Sequence, residues 1–289
     1  MLRFATATMA SDKIQVLTVE SELYLDLLKN TLTRVICPEQ VVAMVFPKHG
    51  WQAWTSAPLR LFLARKRFFL ARRVDLKSRQ EGRDWPADGE TMIGVKRLEN
   101  IRYCILEALG NNVPGDVIET GVWRGGACIF MRAILKVADD RSRRVWVADS
   151  FEGLPHATLA ADRKDKIASA ASRWQELAVS IEDVKANFAK YGLLDDRVCF
   201  LKGWFKDTLP RAPIERLAVA RLDGDMYEST WDALSALYPK LSPGGFLIVD
   251  DYNDWPVCRQ AVDEYRERFK VREPIVEIDH TAVFWRKQF

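Results

Sequence analysis

The spacing of apolar positions changes character near residue 90. Before that point it is helical: "VESELYLDLLKNTLTRVI" (19–36) places Leu23, Leu27, Leu28, Leu32 and Val35 at helical spacing, and Pro38 and "FPKHGW" break the pattern. The stretch 58–74, "PLRLFLARKRFFLARRV", is basic and amphipathic and predicts a second helix. Two readings of it stay open: a helix packed on its own protein with its arginines in water, or one lying on an anionic membrane surface. "RQEGRDWPADGE", polar and punctuated by Gly and Pro, predicts a connecting loop.

From about residue 91 short apolar runs alternate with helical patterns. "TMIGVKRLENIRYCILEAL" predicts a helix, "GDVIET" a strand, "ACIFMRAILKVA" a helix and "RVWVADS" a second strand. "SIEDVKANFAKYG" predicts a helix opened by a capping box, with Ser180 at the cap and Asp183 three residues on. Strands follow at "DRVCFLKG", "RLAVARLDGD" and "GGFLIVDD", with helices at "STWDALSALYPKL" and "VCRQAVDEYRERF" and closing strands at "PIVEI" and "TAVFWRK". Strand alternating with helix predicts an α/β fold, a doubly wound Rossmann-like sheet over 91–289, preceded by a helical extension over 1–90.

Composition narrows the function classes. The chain has 289 residues, 48% of them hydrophobic, enough for one large domain with an appendage. A formal charge of +3 argues against a dedicated nucleic-acid binder. The five cysteines (Cys37, Cys104, Cys128, Cys199, Cys258) form no CxxC pair and read as reduced thiols. No apolar run has the length of a membrane span, and the N-terminus lacks the apolar core of a signal peptide. A soluble cytoplasmic protein is expected, without nucleic-acid or membrane partners.

Candidate chemistry sits at the strand ends. In "VIETGVWRGGA", Gly121, Gly125 and Gly126 make a glycine-bearing turn from strand to helix, a usual place for a nucleotide-like ligand. Glu119 at that strand tip would repel a pyrophosphate and attract the ammonium of a methionine moiety. Asp149 ends the second strand, where an acid commonly accepts hydrogen bonds from ribose hydroxyls. Phe151 after it is placed to wall an adenosine, and Gly203, Trp204 and Phe205 follow the third strand on the same rim.

Four acids then stand at two strand ends: Asp223 and Asp225 after "LAVARL", Asp250 and Asp251 after "GGFLIV". Neighbouring strands lie roughly 5 Å apart, so the carboxylates converge. Converging carboxylates repel one another unless a cation holds them, and an all-oxygen set favours magnesium, manganese or calcium over zinc. One of the acids is open to a second role as a helix cap: Asp225 precedes "YEST", and Asp251 or Asp254 precedes the following helix. Two rival functions share parts of this pattern. "LDGD" at a strand end also fits an Asp-x-Asp phosphatase, and the 58–74 stretch fits a non-enzymatic module for membranes or acidic partners.

"VIETGVWRGG", "DSFEGLP", "GWFKDTLP", "LDGDMYEST", "LYPKLSPGGFLIVDDY" and "AVDEYR" together resemble the macrocin O-methyltransferase family, and "RDWPADGETMIG" resembles the segment before its catalytic domain. The resemblance runs from about residue 21 to the C-terminus. It implies a magnesium-dependent methyltransferase that uses S-adenosylmethionine on sugar hydroxyls of glycosylated natural products, with an N-terminal lid and homo-oligomeric assembly. By the same resemblance Asp223, Asp250 and Asp251 match the metal ligands and Asp225 the general base. Thr91, Met92, Glu119, Thr120, Gly121, Val122, Trp123, Asp149, Ser150, Phe151, Gly203, Trp204 and Phe205 fall at cofactor-binding positions. Thr120 departs from the pattern, since many members carry cysteine there. The same metal geometry would suit other vicinal diols, including catechols.

Overall fold

The computed structural model describes residues 17–38, 41–43, 58, 62, 65, 71–165 and 175–288. The chain opens with helix α1 (Val19–Leu32), whose cap Thr18 accepts a hydrogen bond from the Ser21 amide. Its buried face is Leu25, Leu28 and Leu32, while Leu23 and Leu27 are exposed, so the buried stripe is rotated from the one the spacing predicts. Arg34, with φ of 55°, turns the chain away after the last helical turn. The strands β1 (Val41–Ala43) and β2 (Ala71–Arg73) pair antiparallel. The helix expected over 58–74 therefore does not run through 71–73; most of the rest of that stretch lies outside the described residues. A short helix α2 (Leu76–Gln80) is followed by the loop to α3 (Gly94–Gly110).

From here strand and helix alternate, with the short helices α5 and α7 added to the predicted pattern: β3 (Asp116–Thr120), α4 (Gly126–Val137), β4 (Val145–Asp149), α5 (Ala160–Lys164), α6 (Ile181–Lys190), β5 (Val198–Lys202), α7 (Phe205–Thr208), β6 (Leu217–Leu222), α8 (Tyr227–Leu237), β7 (Leu241–Val249), α9 (Pro256–Arg268), β8 (Val276–Glu277) and β9 (Val283–Arg286). The sheet order is β5-β4-β3-β6-β7-β9-β8. The first five of these pair in parallel, while β9 runs antiparallel to both β7 and β8, so the sheet is mixed. The chain builds outward from β3 to β5 and then returns to place β6 on the other side of β3. That reversal is the switch point where ligands bind in open α/β sheets.

Both faces of the sheet are covered, which is why its strands read as continuous apolar runs. Side chains alternate between the faces. Val117, Val147, Val219, Phe246 and Ile248 join Leu25, Ile101, Ile134 and Phe188 in one core, under α1, α3, α4 and α6. Ile118, Trp146, Ala220, Leu222, Leu247 and Trp285 join Leu234 and Val262 in the other, under α8 and α9. Burying Leu25, Leu28 and Leu32 in the first core contributes about 1.5–3 kcal/mol each, so α1 is packed into the body of the fold. All five cysteines are free thiols, three of them buried. Among the described residues no helix is long and apolar enough to cross a membrane.

Candidate active site

Backbone bonds carry the parallel ladder one residue beyond the strands. The Gly121 amide donates to the Ala148 carbonyl, Asp223 to Thr120 and Asp250 to Leu222, each at 2.9 Å. This fixes the tips of β4, β3, β6 and β7 in step and brings their acids to one rim. Gly121 makes the close approach possible: its φ is +80°, and a Cβ there would stand 1.7 Å from the Asp223 carbonyl oxygen. Three non-glycine residues on this rim, Trp123 (φ 48°), Phe151 (58°) and Asp225 (56°), also hold left-handed backbone. Such conformations persist only where the surroundings enforce them, and they concentrate at functional sites.

The rim encloses a cavity of about 620 Å³, within the range of small-molecule sites. Of the residues the sequence proposes, Thr91, Met92, Glu119, Gly121, Val122, Trp123, Asp149, Ser150, Trp204 and Phe205 line it, as do Asp223, Asp225, Asp250 and Asp251. Thr120, Phe151 and Gly203 do not. Thr120 follows Ile118 onto the α8/α9 face by the two-residue period and is fully buried. Phe151 turns into the core, its ring 6.4 Å from that of Phe200, and so does not wall the cavity as expected. Gly203 contributes its amide to the Asp149 carbonyl.

Asp149 is pinned by its own turn: one carboxylate oxygen accepts from the Val122 amide and the other from the Phe151 amide, both at 2.7 Å. Burial raises its pKa and those amides oppose the rise. Glu119 is buried beside the cavity, with one oxygen on Arg221 and the other accepting from the Cys128 thiol at 2.9 Å. Burial pushes its pKa up to about 7 against the pull of Arg221.

Arg221 is the group the sequence reading passed over. It is fully buried and faces the same side of the sheet as Glu119, its cross-strand partner. Its guanidinium reaches Glu119, Asp223 (2.9 Å) and Asp250 together. Arg97 of α3 takes the other oxygen of Asp250 at 2.5 Å and also bonds Asp279 at 2.9 Å. Both oxygens of Asp250 are thus held by arginines. The sequence signal for Arg221 was present: a charged residue inside the apolar run "LAVARL" needs a buried partner.

The carboxylates that come together are Asp223, Asp225 and Asp251, each with an oxygen within 4.8 Å of the others. Burial and then Asp250 push Asp223 up to about 6, opposed by Arg221. Asp225 and Asp251 are raised well above the ordinary carboxylate range by burial and by neighbouring acids, Asp223 first for Asp225 and Asp225 first for Asp251. One oxygen of Asp251 is buried with no partner among the described residues. A divalent cation fits beside Asp223 and Asp251, with Asp225 adjacent to it: it would supply positive charge that these acids lack and satisfy that oxygen.

Nor is Asp225 the cap of the next helix. The cap residue of α8 is Met226, which makes no side-chain cap bond. Asp162, 65 residues earlier in sequence, accepts from the Tyr227 amide (2.7 Å) and the Glu228 amide (3.2 Å) instead. The Asp225 carboxylate is left to face the cavity.

Known proteins resemble this chain over most of its length. The family model for macrocin O-methyltransferase (TylF) matches residues 21–287. Demethyldecarbamoylnovobiocin O-methyltransferase of Streptomyces niveus is 58% identical over 209 residues, 72% of this chain and 80% of that protein. The 8-demethyl-8-(2,3-dimethoxy-alpha-L-rhamnosyl)-tetracenomycin-C 4'-O-methyltransferase of Streptomyces olivaceus is 50% identical over 265 residues, 92% of each chain. Among solved structures, that of the O-methyltransferase NovP aligns with a TM-score of 0.79 at 48% identity, covering 93% of this chain and all of that one. The phosphatase and non-enzymatic readings fall away, because this chain belongs to the macrocin O-methyltransferase family and is an O-methyltransferase.

Proposed function

We propose that the protein is a metal-dependent O-methyltransferase that moves a methyl group from S-adenosylmethionine to a sugar hydroxyl of a glycosylated natural product. The observation that carries this reading is the convergence of Asp223, Asp225 and Asp251 beside a glycine-turn cavity of small-molecule size. The tetracenomycin relative is named for a rhamnosyl-bearing acceptor, which supports the acceptor class.

When bound, the cofactor supplies the methyl group and the divalent ion polarises the acceptor hydroxyl. Asp223 and Asp251 would hold the ion, with Asp250 as the third ligand. Arg97 and Arg221 fix the Asp250 carboxylate and offset the charge of its neighbours. Asp225 takes the hydroxyl proton: its carboxylate lines the cavity and no described residue donates a hydrogen bond to it. Glu119 and Asp149, on the tips of β3 and β4, orient the cofactor's amino-acid and ribose parts. Trp204 and Phe205 wall the remaining apolar surface.

The test is transfer of isotopic label from S-adenosylmethionine to a panel of glycosylated antibiotics and their aglycones. Labelling of a sugar hydroxyl is the expected result. Labelling of catechols alone would replace the sugar by a non-sugar diol.

A further inference from the structure

Asp162 is a fully buried carboxylate with no part in the chemistry above. It lies on α5, at the far end of the segment that leaves β4 at Asp149. Within that segment Leu154, Pro155, His156 and Thr158 line the cavity. Asp162 reaches across to the first turn of α8, where its two oxygens accept from the Tyr227 and Glu228 amides. A carboxylate there satisfies amides that have no intrahelical partner and complements the positive end of the helix.

Two further contacts join the same pieces. The Thr158 hydroxyl bonds the Glu228 carboxylate, and Leu154 and Ala157 pack against the small buried cluster of Met226 and Val257. Met226 directly follows Asp225 in the chain. The wall of the cavity and the loop bearing Asp223 and Asp225 are therefore fastened to each other by three sets of contacts, one of them made by Asp162, just beyond Thr158 in the chain and 65 residues before Tyr227.

We propose that Asp162 is a positioning residue, which holds the 153–158 wall of the cavity in register with the Asp223–Asp225 loop. It acts through the α8 amides and the apolar cluster around Met226 and touches neither reactant. Its bearing on acceptor binding rests on the methyl-transfer reading above. Misplacement of reacting groups by about 1 Å is enough to slow catalysis on the order of 100-fold, so a fastening of this kind bears directly on turnover.

Hydrogen exchange of the full-length protein tests the fastening without any assumption about the acceptor. In Asp162→Ala, amides of 151–158 and of 226–230 should both exchange at least about tenfold faster, with S-adenosylhomocysteine affinity unchanged. Asp162→Asn keeps an acceptor oxygen and should recover much of the protection, which also covers the case in which the Ala variant folds poorly. With demethyldecarbamoylnovobiocin as acceptor, KM should rise on the order of tenfold or more in Asp162→Ala. Faster exchange confined to 226–230 would show a local helix cap and overturn the proposal, as would unchanged exchange in both segments. If the wild-type protein does not methylate that compound, only the acceptor reading fails, and the exchange result still decides the role of Asp162.

Discussion

No described residue donates a hydrogen bond to the Asp225 carboxylate, its backbone is held at φ of 56°, and the helix after it is capped from elsewhere. These facts separate catalysis from stability at this position. Asp225→Asn should leave thermal stability, S-adenosylhomocysteine binding and Mn²⁺ binding near wild type while cutting turnover about 10²–10⁴-fold, the usual worth of a positioned base. Stopped assays with labelled cofactor at saturating acceptor check this, and wild-type turnover would remove Asp225 from the role. Glu119 and Asp223 allow a prediction about pH. Their folded pKa values, about 7 and about 6, lie above the ordinary values of 4.5 and 3.8. Below pH 4 both states carry the proton and the two groups contribute nothing to pH dependence. As pH rises the unfolded chain ionises first, so their contribution destabilises the fold progressively from about pH 4 to pH 7. Melting in EDTA should therefore show a downward slope in that window. Glu119→Gln should flatten its upper part, and added Mg²⁺ should flatten it through Asp223.

At the scale of elements, the tips of β3 and β6 touch because residue 121 has no side chain. Gly121→Ala would force a Cβ against the Asp223 carbonyl from a left-handed backbone. It should lower the melting temperature and abolish turnover together, since the shift falls on both the cofactor turn and an acid. The cap of α6 is a milder case. Ser180 accepts from the Asp183 amide at 3.1 Å and donates to its carboxylate at 2.7 Å, the pair the sequence predicts. Ser180→Ala should cost about 1 kcal/mol, seen as a fall of roughly 2 °C in melting temperature, with turnover unchanged. The same elements show what the sequence could reveal. Apolar runs, glycine turns and caps are local, so β3–β7, their helices and the acids at the strand tips were readable. The face on which a residue lies depends on its place in the strand, which put Thr120 behind the sheet, while Phe151, on a left-handed turn after β4, has its ring in the core. Partners far apart in the chain left no local mark. Arg221 with Glu119 is 102 residues away, Arg97 with Asp250 is 153, and Asp162 caps a helix 65 residues on. The buried stripe of α1 was misplaced because amphipathic spacing gives a period, while its phase is set by what the helix packs against.

For the molecule as a whole, a doubly wound sheet places its switch point between β3 and β6 and gathers the strand-end acids there. The net charge of the chain is close to neutral, yet this rim concentrates Glu119, Asp149, Asp223, Asp225, Asp250 and Asp251 around two buried arginines. Negative charge in such excess is stable and useful if a cation completes it. The most direct measurement is methyl transfer by protein stripped exhaustively with EDTA, followed by back-titration with Mg²⁺ or Mn²⁺. Turnover should vanish on chelation and return saturably with added ion, and Asp251→Asn should require far more ion for the same recovery. Full turnover in the stripped protein would contradict the account.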